Sequence, residues 1–170
     1  MLKTNMKPMM LLAALLSAAF LHGEAQNIKT VNNLAAAEQM VYFDIDKGQI
    51  VAAADAGWDI AFHKTSISVN SEKGNVSAQV VAGTSFDKLA KAPATGYIKD
   101  GKQTAVPGGS GNGWYVYNMD DHTIQPIADR VIVIKTTAGK TAKLAILSYY
   151  KDQADYNPGG YYSFQYAFFE

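Results

Sequence analysis

The chain has 170 residues, no cysteine, and fifteen acidic side chains against fifteen basic ones, which is length enough for one domain with its own core. Without cysteine it can build neither a disulfide nor a thiolate metal site. Without a concentrated basic face it lacks the footprint of a nucleic-acid partner.

The N-terminus reads as an export signal. Lys3 and Lys7 precede the apolar run Met9 to Leu21, and Gly23 and Ala25 put small residues where a signal peptidase reads. Residues 1–25 are expected to be a signal peptide cleaved after Ala25, because the run is short for a transmembrane span and polar sequence follows it. Removing its two Lys and one Glu leaves residues 26–170, a single domain, close to neutral. No cysteine follows the signal core to carry a lipid anchor.

Most of the remaining chain alternates apolar and polar residues at the period of a half-buried strand. Asn32 to Met40 is one of two segments that could form a brief helix; Ser85 to Ala92 is the other. Strands are expected at Met40 to Ile45, Gly57 to His63, Ser66 to Asn70 and Asn75 to Gly83, separated by Gly, Asp and Lys. In Gly57 to His63 the alternation puts Trp58, Ile60 and Phe62 on the core face. His63 then faces the other way, a framework residue paired with a neighbour such as Asp59.

Ala92 to Gly113 is rich in Pro and Gly and reads as a long loop. The aromatic run Gly113 to Asn118 is a strand ending in the polar turn Met119–His122. Val131 to Lys135 and Lys143 to Tyr150 read as a hairpin around Ala138, Gly139 and Lys140. The terminal strand points Tyr162, Phe164, Tyr166 and Phe168 one way and Tyr161, Ser163, Gln165 and Ala167 the other. The fold class is therefore all-β, a single mostly antiparallel domain with long loops.

Catalytic signatures are absent from this pattern. Ser110 sits in GGSGNG, but Asn112 breaks the nucleophile-elbow spacing. No Gly-rich segment leads into a Lys and a helix, and none lies between a strand and a helix with the dinucleotide spacing. Asp120, Asp121 and His122 could hold a hard cation, yet they lack the alternating ligands and central Gly of a calcium loop. No carboxylate pair stands out for acid–base work.

Taken together, GWDIAFHKTSISVN, GWYVYN, DRVIVIKTTAGKTAKLAILSYYKD and YYSFQYAF resemble the successive strands of the HmuY family of haem-binding proteins of Bacteroidetes, over about Val41 to Phe168. The resemblance implies a haemophore-like all-β fold without catalysis. It also implies an exported or surface-held protein that takes haem from host carriers and passes it to a TonB-dependent outer-membrane receptor. In the family two axial side chains, His or Met, hold the iron; one follows the Trp-containing strand and the other comes from the preceding loop.

Counted from Trp114, the first position falls on Met119, a soft thioether suited to ferrous iron, with His122 as the rival. Three residues span only about 10 Å, too little to pass around a macrocycle, so at most one of the two binds. Between Lys64 and Asn118 there is neither His nor Met, which leaves Tyr97, then Lys99 or Lys102, as the second donor. Trp114, Tyr115 and Tyr117 are the candidate lining.

Overall fold

The computed structural model describes residues 26–170; the expected signal peptide lies outside them. Eleven strands follow one another: β1 (Lys29–Ala35), β2 (Val41–Asp44), β3 (Gln49–Val51), β4 (Ile60–His63), β5 (Ser66–Val69), β6 (Ser77–Ala82), β7 (Tyr115–Asn118), β8 (Thr123–Pro126), β9 (Arg130–Lys135), β10 (Thr141–Tyr150) and β11 (Gly159–Phe168). They form a five-stranded sheet in the order β1-β11-β10-β9-β6, a four-stranded sheet β3-β2-β4-β5, and the separate hairpin β7-β8. All pairings are antiparallel.

The two larger sheets close on a shared aromatic core. Phe43 of β2 and Phe62 of β4 meet Phe164 of β11 at ring distances of 5.4 and 5.3 Å, and Phe62 also meets Tyr162 at 4.7 Å. Such pairs add to the area they bury. Between its charged ends β9 is apolar at four successive positions because both its faces are covered: Ile132 and Ile134 enter the main core, while Val131 and Val133 join Phe86 and Ala167 in a second cluster. Continuous rather than alternating hydrophobicity is the expected mark of such a strand.

The strands expected are present, except that Trp58, expected on the core face, precedes β4 and stays half-buried against Tyr42; the β9–β10 turn places Gly139 at φ +78°, a left-handed value glycine takes without strain. Both helix expectations fail. Asn32 to Ala35 belongs to β1, where Leu34 pairs with Tyr162 and becomes buried, so pairing with β11 overrides local propensity. Ser85 to Ala92 makes one turn, closed by the Leu89 amide on the Ser85 carbonyl at 3.1 Å, and goes no further. Lys143 ends that turn. It is buried, and its Nζ donates to the Phe86 and Leu89 carbonyls at 2.7 and 3.0 Å.

The expected pairing of His63 with Asp59 is not made. The Asp59 carboxylate is fully buried and accepts the Ile45 and Thr137 amides at 2.8 and 2.7 Å, tying the four-stranded sheet to the β9–β10 turn. Regular strand geometry also puts residues four apart about 13 Å from each other, beyond direct contact.

The long loop between β6 and β7 is pinned by Asp100, whose two oxygens accept the Val69 and Ala105 amides, each at 2.7 Å. Ala105 and Val106 are buried beneath it.

Candidate functional site

The β7–β8 hairpin leaves the sheets, and its root is packed into them. Trp114, just before β7, is buried; its indole N–H donates to the Thr65 carbonyl at 3.0 Å, and its ring packs on Tyr115, Tyr162 and Tyr149. Tyr115 is buried beside it. On the other arm the Ile124 amide donates to the Tyr150 hydroxyl at 2.7 Å. Trp114 and Tyr115 are thus the hairpin's anchor in the core, and no open face of either is left to line a ligand.

The tip is the polar turn the sequence suggests. Asn118 accepts the Asp120 amide, and Asp121 accepts both the amide and the hydroxyl of Thr123, at 3.0, 3.0 and 2.7 Å. These side-chain acceptors are why Asn and Asp suit tight turns. With Asp121 committed to its own loop, Asp120, Asp121 and His122 do not converge on a cation. Among the described residues the acidic or histidine group whose donor atoms lie within 4.8 Å of one another is Asp44, Asp46 and Asp59. Lys47 and Lys140 pair with the first two at 2.9 and 3.0 Å, and backbone amides hold the third. That triad is a structural knot which sequence reasoning missed; the DIDKG spacing from Asp44 to Gly48 was its signal.

Among these polar groups the tip also presents apolar surface. Met119 is 72% exposed, with Val116 at 42% and Tyr117 at 37%. The Tyr117 hydroxyl meets His122 Nδ1 at 2.7 Å and so fixes the imidazole plane. When Nδ1 carries the proton, Nε2 remains an acceptor, the tautomer that metal-binding histidines use.

Tyr97 is elsewhere. It packs in the second cluster, with the Lys135 ammonium 4.2 Å from its ring centre, and burial pushes its phenol pKa up. Lys135 pairs with Thr141 at one end of β10, whereas the hairpin is held by Tyr150 at the other. Ten residues of strand separate these ends by roughly 30 Å. Tyr97 and Met119 are therefore not brought together. Lys99 is bonded to Asn75, and Lys102 is exposed on the loop.

Ser110, the failed nucleophile, accepts the Tyr117 amide through its hydroxyl at 2.8 Å and so orders β7.

A family model described as HmuY protein matches residues 36–166. This chain belongs to the HmuY family. Solved structures of the same fold include the apo HmuY analog of Tannerella forsythia, 21% identical over 86% of this chain and 96% of that one, with a TM-score of 0.58. Apo PinO from Porphyromonas gingivitis is 17% identical over 86% and 99%, at 0.60. A Bacteroides vulgatus protein described as HmuY-like and haem-binding is 16% identical over 84% and 92%, at 0.59. No curated protein matches the sequence. No helix among the described residues of this HmuY-family chain is long and apolar enough to cross a membrane.

Proposed function

We propose that this HmuY-family protein is an exported haem- or porphyrin-binding protein, without catalytic activity, that takes part in haem or iron acquisition. The observation that carries the reading is Met119, an apolar thioether held 72% exposed at the tip of a braced hairpin. A side chain of this kind lowers its free energy by meeting a flat apolar ligand. Met119 is the proposed axial donor and His122, oriented by Tyr117, its alternative at the same tip. Trp114 and Tyr115 support them from the core. Within the same proposal, host haem carriers supply the ligand and a TonB-dependent outer-membrane receptor accepts it.

The donor set fits one axial position and not two, because Tyr97 lies at the far end of β10. That observation favours a second reading, an HmuY-like module without iron ligation that recognises another ligand or a partner protein. Titrating residues 26–170 with haemin, oxidised and reduced, separates the two. A saturable Soret shift supports haem binding. Its absence in both states leaves the second reading.

A further inference from the structure

A cleft of about 390 Å³ opens between β8 and the outward face of β10 and β11. Its volume lies at the lower end of the ~300–1,000 Å³ of small-molecule pockets. Phe86, Ile127, Ala145 and Leu147 are among its walls, and none of Met119, His122, Tyr117 or Tyr97 lines it. The wall carrying Phe86 is rigid, since Lys143 donates to the Phe86 carbonyl from beneath and its ammonium lies 4.5 Å from the Phe86 ring centre. Leu147 is 40% exposed into this space.

The cationic group lining the cleft is Arg130, the only arginine in the sequence. Its guanidinium makes one long hydrogen bond, to the Gly111 carbonyl at 3.3 Å. A guanidinium carries five N–H donors, so most of its capacity is unspent. Among the described residues the ion pairs are Lys47 with Asp44 and Lys140 with Asp46, which leaves Arg130 without a carboxylate within 4.0 Å. Asp87 also reaches the cleft, but it is exposed and its field supports the buried ammonium of Lys143.

A guanidinium beside apolar walls suits a planar anion held by two parallel hydrogen bonds. A phosphate dianion would want further cations, and Lys143 is already committed to carbonyls. We propose that this cleft binds a small amphipathic monocarboxylate, its tail against Phe86, Ile127 and Leu147 and its carboxylate on Arg130. The site is separate from the proposed haem site and does not depend on it.

The test is calorimetric titration of haem-free residues 26–170 with decanoate below its micellar concentration, with decanol as the uncharged control. Saturable decanoate binding is expected, with decanol at least tenfold weaker. Arg130→Gln should weaken decanoate at least tenfold, Arg130→Lys less, and Leu147→Glu, at an exposed position that leaves the fold intact, should abolish it. Met119→Ala should bind decanoate as the unsubstituted protein does. The assignment is overturned by no saturable binding, by decanol binding equally, or by folded Arg130→Gln keeping its affinity. Loss of binding in Met119→Ala would also overturn it, placing the ligand at the hairpin tip. If Arg130→Gln does not fold, Leu147→Glu and the decanol control decide.

Discussion

Replacing Trp114 by Ala removes the anchor of the β7–β8 hairpin. The indole is 2% exposed and touches three tyrosine rings, and its N–H is bonded to the Thr65 carbonyl. A buried Trp takes about 200 Å² out of water, and at ~25 cal/mol per Å² this sets an upper bound of about 5 kcal/mol. Large aromatic truncations in cores cost about 3–5 kcal/mol, so about 4 kcal/mol is the expected loss. Trp114→Phe keeps most of the packing and leaves the Thr65 carbonyl short of a donor, for about 1–3 kcal/mol. Urea unfolding followed by far-ultraviolet circular dichroism measures both, since the fluorophore itself is being changed. A loss below about 1.5 kcal/mol in Trp114→Ala would show that the hairpin is braced by something other than Trp114, and the anchoring argument would fall with it.

Lys143→Met leaves the Phe86 and Leu89 carbonyls without their donor and should cost about 1–3 kcal/mol, with faster tryptic cleavage at Lys88 as the local readout; unchanged cleavage would contradict its role in holding the turn. At Gly113 an added Cβ would run into the Pro107 carbonyl oxygen. Gly113→Ala should therefore destabilise the protein by about 1–3 kcal/mol, and a neutral urea midpoint would count against the close approach. Burial raises the pKa of Asp59 above its ordinary 3.8, against the opposing amides of Thr137 and Ile45. The folded state thus holds the proton more tightly, so Asp59 contributes most below pH 3.8 and less as pH rises through its raised value. The stability advantage of the unsubstituted protein over Asp59→Asn should shrink as pH rises above 3.8, and growth with rising pH would contradict the sign.

The strands legible in the sequence are those whose side chains report a face. β11 alternates plainly, and β9, with four successive apolar residues from Val131 to Ile134, is a strand covered on both sides. β1 escaped because Asn32 and Asn33 look like a helix cap; Asn33 instead sits at a register shift with φ +55°, where its amide donates to the Ser163 hydroxyl. β8 escaped because four residues ending in Pro126 carry almost no periodicity. At the site, Met119 is singled out only by the family resemblance, whereas the polar turn could be read from residue order alone. The roles of Trp114 and Tyr115 could not, since periodicity does not say whether a strand's aromatic face meets a ligand or a core. Nor could the separation of Tyr97 from Met119, which depends on the path of the loop between β6 and β7. Arg130 was missed for the opposite reason: nothing local marks it, and only the absence of a carboxylate in space makes it conspicuous.

The central claim is that Met119 presents a donor to haem from the hairpin tip, and titration of ferrous haem into Met119→Ala tests it most directly. At 72% exposure the substitution should leave stability within about 0.5 kcal/mol, so any change in binding reports on ligation and not on folding. The account predicts a saturable Soret shift in the unsubstituted protein that is lost in Met119→Ala. An unaltered shift in Met119→Ala would contradict it.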